Sequence, residues 1–290
     1  MNISAPSQTS VRQIVVATDL SDTSKNALQY AKALAKRYSS HIVLVHVGPS
    51  IKYVANPEGG WIEDPVTQRA EEQIEELGAE LRIEGYAVEA VSASGLVEHE
   101  IMSVAKTHDA DLVVVGTHGK QGIERMVFGS DAEALIQRCD FPVLTVGPAA
   151  HALQKGAWLL NEIICAVIPG ASSANAAVYA YKLAQENGSN LRLYWILDPN
   201  YPSAPDDLLA FEDAFNKALP GGEVRLPQIQ SLASNEDPAA GILTAAKKRQ
   251  ADLIVLNAKR AIPGSTHFGL GILPEVLLHA QCPVLTIHSH

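Results

Sequence analysis

ADLVVV, residues 110–115, runs straight into Gly116-Thr117-His118-Gly119, and nearly the same apolar run returns as ADLIVL at residues 251–256. A second pair, PVLTV at 142–146 and PVLTI at 283–287, keeps the same offset of 141 positions. Earlier in each half, IVVA at 14–17 matches IICA at 163–166 with an offset of 149. In that register Ser24, Ala27, Tyr30, Ala31, Leu34 and Ala35 meet Ser173, Ala176, Tyr179, Ala180, Leu183 and Ala184. A register kept over whole segments indicates a tandem duplication. The second copy is about eight residues shorter between its early and late parts, the difference between the offsets 149 and 141. The expected domains are residues 10–148 and 158–290, joined across the stretch from Gly147-Pro148 to Gly156.

Within the first copy, strand and helix periods alternate. Arg12 to Thr18 is a short apolar run of strand character, and Ser21 and Asp22 are cap-type residues. Ala27, Ala31, Leu34, Ala35 and Tyr38 then recur at helical spacing, and His41 to Val47 reads as a second strand. Residues 48 to 65 carry Gly, Pro and Asn and predict an irregular loop. Ala70, Ile74, Leu77 and Leu81 stripe a helix whose Glu-rich face is solvated. A third strand over Tyr86 to Ala93, a helix marked by Val97, Ile101, Val104 and Ala105, and a fourth strand over Leu112 to Val115 follow. A last helix near Asp131 to Arg138 leads into the strand Pro142 to Val146. Uniformly apolar strands separated by helices imply a parallel sheet covered on both faces. The expected fold class is therefore α/β: two tandem five-stranded parallel-sheet domains, Rossmann-like or flavodoxin-like, with right-handed crossovers. Ligands of such sheets bind at the carboxyl ends of the strands, where strand order reverses, here after strands one and four.

Composition narrows the partners. Each half of the 290 residues is long enough to bury its own core without a metal or disulfide staple. With 22 Lys and Arg against 32 Asp and Glu, the net charge of -10 disfavours nucleic acid. Cys139, Cys165 and Cys282 form no CxxC pair, which fits a reducing compartment and excludes a zinc ribbon. The first ten residues are polar, without a signal pattern, and no apolar run approaches the ~20 residues of a membrane span. A cytoplasmic protein is expected.

The segment after strand four carries the candidate chemistry. Gly116 and Gly119 let backbone approach a ligand without a Cβ in the way, and successive N–H groups there can form an anion nest. Nine residues later Gly129-Ser130 opens a helix, where orphan N–H groups, a hydroxyl and the positive dipole end favour phosphate. Lys120 and Arg125 lie between and can neutralise its charge. No Walker GxxxxGK[ST] exists in the chain. Thr18-Asp19 ends strand one, beside strand four, and the Asp19 carboxylate there can accept hydrogen bonds from ribose hydroxyls or a base amine. The same glycines also suit a tight turn with Ser130 as an ordinary N-cap, and Asp19 also reads as a helix cap, a role open to Ser21 and Asp22.

These residues resemble the universal stress protein family, in tandem, over nearly everything from Arg12 to Ile287. Gly116-x2-Gly119-x9-Gly129-Ser130 is similar to that family's ATP-binding pattern, Thr18-Asp19 to its early Thr-Asp, and Leu44-Val45-His46-Val47 to its second strand. The resemblance implies the adenine nucleotide alpha hydrolase-like variety of the α/β fold. It also implies ATP as ligand, with Asp19 and Val47 at the adenosine end, Val115 lining the pocket, and Gly116, Gly119, Gly129 and Ser130 on the phosphates. Asp131 departs from the family, where a small apolar residue often follows Gly-Ser; a carboxylate there weakens phosphate binding or calls for a bridging Mg2+. Single-domain relatives pair through their last strand, so the two halves here are expected to pair as an internal pseudo-dimer, with a further homodimer open.

The second copy departs more. Gly116 becomes Asn257, Gly119 Arg260, Gly129 Leu270 and Ser130 Gly271, while Asp19 becomes Ile168. It reads as a degenerate copy that does not bind ATP. His118, His99 and His108 lack an orienting partner or metal-ligand spacing; His288 and His290 read as a tail. No catalytic residue and no metal site are assigned. The expected function is a stress-response regulatory protein acting on an unidentified protein partner. The competing readings are a slow ATPase or autophosphorylating enzyme with Ser130 or Thr117 as acceptor, and a nucleotide-free scaffold.

Overall fold

A computed structural model of the chain describes residues 11–50, 53–55, 61–117, 130–153, 156–167, 173–196, 205–219, 229–232, 237–258 and 272–288. Its two compact bodies are Val11–Leu135 with Ala152–Trp158, and Ile136–His151 with Leu159–His290. No helix among the described residues is long and apolar enough to cross a membrane.

In the first body, β1 (Gln13–Ala17) leads to α1 (Asp22–Tyr38), β2 (His41–Gly48), β3 (Tyr53–Ala55) and β4 (Trp61–Glu63). Then come α2 (Pro65–Ile83), β5 (Ala87–Ser94), α3 (Val97–Thr107) and β6 (Leu112–Gly116), with α4 (Ser130–Arg138) following. The strands lie in the order β5-β2-β1-β6, all parallel, with Val15 opposite both Val43 and Val113. Ile14, Val15 and Val16 are fully shielded from solvent, as a strand covered on both faces requires. Each such side chain contributes roughly 1.5–3 kcal/mol by leaving water. Residues 48 to 65 depart from the expected irregular loop: β3 and β4 form an antiparallel pair, Val54 opposite Ile62. Two three-residue strands are too short to show a period among Gly, Pro and Asn.

Helix ends follow local chemistry. Ser21 is the N-cap of α1, its hydroxyl accepting the Ser24 N–H at 3.3 Å, and Ser39 closes the helix in the left-handed region at φ 55. Ala27, Ala31, Leu34 and Ala35 are the buried stripe. α1 and α2 share one face of the sheet, where Lys32 of α1 meets Glu84 at 2.5 Å; α3 packs against β1 and β2.

The second body contains β7 (Val143–Val146), β8 (Glu162–Val167), α5 (Ala174–Asn187), β9 (Asn190–Ile196), α6 (Pro205–Ala218) and β10 (Ile229–Leu232). α7 (Pro238–Arg249), β11 (Leu253–Ala258), α8 (Ile272–His279) and β12 (Val284–His288) complete it. Its order β10-β9-β8-β11-β12 is again parallel. The last strands of the two repeats pair with each other: β7 runs antiparallel to β12, with Leu144 opposite Leu285, and Thr286 Oγ1 donates to the Val143 carbonyl at 3.2 Å. Gly147 closes that pair because a Cβ there would stand 2.1 Å from the Leu277 carbonyl oxygen. His288, read from sequence as tail, is instead the last residue of β12 and only 4% exposed.

The duplication persists at atomic level. Asp111 Oδ2 accepts the N–H groups of Arg12 and Gln13 at 2.7 and 2.9 Å. Asp252 Oδ2 accepts those of Asn161 and Glu162 at 2.7 and 3.0 Å. Ser40 Oγ donates to the Val11 carbonyl, and Ser189 Oγ to that of Leu160. Each carboxylate thus ties the start of the fourth strand of its repeat to the start of the first, at the two offsets seen in sequence.

Candidate nucleotide site

The carboxyl ends of β1, β2 and β6 surround a cavity of about 170 Å3. Its polar side is Thr18, Asp19, Ser24 and Thr117; its apolar walls are Ala17, Val45, Val47 and Val115, closed by Val97 and Ile101 of α3 and Ala132 and Leu135 of α4. That volume is below the ~300 Å3 at which drug-sized sites begin. Gly116 ends β6 at the rim, where β6 gives way to the loop toward α4.

The turn between β1 and α1 is over-determined by hydrogen bonds. The Thr18 N–H reaches the Val45 carbonyl at 2.9 Å, and its hydroxyl donates to Ser24 Oγ at 2.9 Å, which in turn donates to the Ser21 carbonyl at 2.8 Å. Thr18 Oγ1 also accepts the Leu20 N–H at 3.0 Å. Leu20 stands at φ 65, a conformation uncommon for a branched residue, which persists where neighbouring bonds enforce it. His46 Nδ1 lies 2.9 Å from the Thr18 carbonyl oxygen; since a carbonyl only accepts, that nitrogen carries the proton.

Asp19 divides its carboxylate between two tasks. Oδ1 accepts the Ser21 N–H at 3.1 Å and the Ser21 hydroxyl at 2.5 Å. Oδ2 is shielded from solvent and has no hydrogen-bond partner among the described residues. Capping of α1 falls to Ser21, so Asp19 is not consumed by that role. A buried polar atom without a partner is rare and costly, and at the edge of a cavity it offers a place for a ligand's hydroxyl or amine donor.

Thr18, Asp19, Val47, Val115 and Gly116 are thus brought together around one cavity. Ser130 opens α4. Gly119, Lys120, Arg125, Gly129 and His118, and the side chains of Ser130 and Asp131, lie outside the described residues. Ser24 and His46 belong to the site's framework although neither was assigned a role there from sequence; their signal was position, Ser24 in the repeat register and His46 between two cavity-lining valines.

The sequence model of the universal stress protein family matches residues 10–147 and again 160–288. The chain belongs to the universal stress protein family. A universal stress protein of Methanocaldococcus jannaschii is 32% identical over 138 residues, covering 47% of this chain and 81% of that protein. One of Bacillus subtilis is 31% identical over 144 residues, 46% of this chain and 97% of that protein. Both therefore match a single repeat. Across the full length, the crystal structure of a universal stress protein from Archaeoglobus fulgidus superposes with a TM-score of 0.68 at 18% identity, covering 98% of each chain. That likeness establishes the two-copy α/β fold.

Within this universal stress protein the second copy differs at the matching position. β6 ends at Gly116, whereas β11 continues past its counterpart Asn257 to Ala258, with Asn257 opposite Ile287 and Ala258 opposite His288. Ile168, Arg260, Leu270 and Gly271 lie outside the described residues. Elsewhere the chemistry is quiet. Burial raises all three thiols, Cys282 up to about 12 and Cys165 further, as expected of inert packing groups. Among the described residues no group of three or more His, Cys, Asp or Glu stands close enough to hold a metal ion.

Proposed function

We propose that this universal stress protein is an ATP-responsive regulatory protein whose first repeat, residues 10–148, holds the nucleotide. The observation that carries the reading is the Asp19 carboxylate, one oxygen fixed by Ser21 and the other unpartnered beside an apolar cavity. Asp19 meets the ribose hydroxyls or base amine, Val47 and Val115 flank the adenosine, and Thr18 sets the turn. Gly116, Gly119, Gly129 and Ser130 receive the phosphates through bare amides, with Lys120 and Arg125 as counter-charges. Mg2+, where needed, arrives with the nucleotide and offsets Asp131. The second repeat, residues 158–290, is degenerate: the continuation of β11 past Asn257 occupies with paired strand the place where β6 turns off at Gly116. Its role is structural, through the antiparallel pairing of β7 and β12 that joins the last strands as an internal pseudo-dimer.

The reading predicts one nucleotide per chain. Calorimetry of the full chain with ATP, with and without Mg2+, gives a stoichiometry near one, and Gly119→Val, which puts a branched side chain into the nest, abolishes the heat while leaving the unfolding midpoint in place. Binding stoichiometry near two contradicts the degenerate second copy. An absence of saturable heat at millimolar nucleotide leaves the scaffold reading, and steady conversion of bound ATP to ADP favours the slow enzyme.

A further inference from the structure

On the other side of β2 lies a larger cavity, about 500 Å3, that the nucleotide reading does not use. Successive strand residues point to opposite faces: Val45 and Val47 line the nucleotide cavity, and His46 between them lines this one. Gly48 and Pro49 bound one side of it and the first turns of α2 the other. We propose that this cleft is a second binding site, for a small oxyanion group such as a carboxylate or phosphate, seated on Thr67 and Arg69.

Two independent observations meet there. The first is the amino terminus of α2, a 19-residue helix that opens on the cleft with Pro65 in its first turn and no acidic side chain within that turn. Such an end presents the positive pole of the helix dipole, although Pro65 has no N–H and the Val66 N–H is taken by Asp64. The second is Thr67. Its residue is 3% exposed, it lines the cleft, and its hydroxyl is buried with no hydrogen-bond partner among the described residues. A buried hydroxyl of that kind is an anomaly that a ligand removes.

Charge sets the class. Arg69 stands on the same rim, and no salt bridge among the described residues engages it, whereas Arg82 further along α2 is paired with Glu75 at 2.9 Å. A guanidinium is the side chain best shaped for a carboxylate or phosphate oxygen pair. Opposing it, the N-cap Asp64 spends Oδ1 on the Val66 N–H at 3.1 Å, and Glu72 takes the Gln68 amide at 3.4 Å. Those two carboxylates limit the charge the cleft accepts and favour a singly charged group over a dianion. His46 spends Nδ1 on the Thr18 carbonyl, so Nε2 is the ring atom left to face the cleft. The site stands whether or not the neighbouring cavity binds ATP.

The test is a 15N-resolved NMR titration of the full chain with sodium acetate and, separately, inorganic phosphate, at constant ionic strength and without nucleotide. Saturable shifts confined to the amides of residues 66–70 are expected, with acetate and monobasic phosphate competing for one site. Thr67→Val, which keeps the shape and removes the hydroxyl, and Arg69→Gln should each weaken the apparent affinity at least about tenfold. Thr67→Val should leave the unfolding midpoint unchanged or raised, because the hydroxyl it removes has no hydrogen-bond partner among the described residues. Non-saturating shifts, shifts spread over the surface, or equal affinity in both variants would overturn the site.

Discussion

Replacing Asp19 by Asn separates a ligand-binding carboxylate from a structural one, because the two roles predict opposite signs. In the free protein Oδ1 accepts two bonds from Ser21, at 3.1 and 2.5 Å, while Oδ2 is buried without a partner. An Asn can keep its carbonyl oxygen on the Ser21 side and put its NH2 where Oδ2 stood. The turn then retains its acceptor, and the buried position without a partner holds a neutral amide in place of an anionic oxygen, whose burial costs more. Chemical denaturation without nucleotide should therefore show Asp19→Asn as stable as the parent or up to ~1 kcal/mol more stable. Nucleotide binding should move the other way. The variant offers a donor where the ligand also brings a donor, and bonds to charged groups contribute about 1.5–3 kcal/mol. The Kd for ATP should rise roughly 10- to 150-fold. Asp19→Ala provides the contrast: it loses the acceptor for Ser21 as well, and should destabilise the free protein by roughly 1–2 kcal/mol. Unchanged ATP affinity in Asp19→Asn, with a stability loss matching that of Asp19→Ala, would refute the assignment and leave Asp19 as a turn residue only.

Asp111→Ala and Asp252→Ala each remove a carboxylate oxygen that accepts two backbone N–H groups, so each should destabilise by about 1.5–3 kcal/mol, and by similar amounts, in denaturant titrations. Phe211→Ala should cost about 3–5 kcal/mol, since the ring is fully buried, lies 6.1 Å from that of Phe215 and meets Trp195 edge-on at 5.8 Å. Gly147→Ala forces a Cβ onto the Leu277 carbonyl and should lower stability by roughly 1–3 kcal/mol, visible as an earlier thermal transition. At pH 8 a thiol held near 12, as Cys282 is, is thiolate in only about one molecule in ten thousand, so a thiol-specific dye should label the native chain slowly and the denatured chain at once.

The fold was legible because its information lies in long, redundant patterns. β1, β2, β5 and β6 of the first body and β7, β8, β11 and β12 of the second fall within a residue or two of the apolar runs read from sequence, and the repeated offsets mark the duplication. What escaped was short or conditional. β3 and β4 span three residues each, below the length at which a period can be counted. His288 looked like tail because only tertiary cover reveals that β12 continues through it. In the site, Thr18, Asp19, Val47, Val115 and Gly116 were readable as residues at strand ends. The division of labour in Asp19 was not, since it depends on which oxygen Ser21 takes and which is left buried without a partner. Thr67 was legible only by position, seven residues before Ile74 on the buried face of α2; its burial without a partner depends on tertiary cover.

Comparing the two repeats separates contacts common to both copies from residues that differ between them. Asp111 and Asp252, Ser40 and Ser189, and the bonds they make are the same in both copies, and so are the apolar strands they tie together. These contacts lie at the amino-terminal ends of the strands, far along each strand from the rim where ligands of such sheets bind. At the carboxyl-terminal rim the copies part: Asp19 corresponds to Ile168, and Gly116, which ends a strand, corresponds to Asn257, which continues one. The contacts at the amino-terminal ends agree between the copies to within a few tenths of an ångström, and under the proposed function the differences at the other rim follow from a ligand held by the first copy alone. The same logic makes the second copy a built-in control. Substitutions at the shared end should weaken both halves alike, whereas at the other rim Asp19→Asn, which keeps the acceptor for Ser21, should register in nucleotide affinity and leave stability almost untouched.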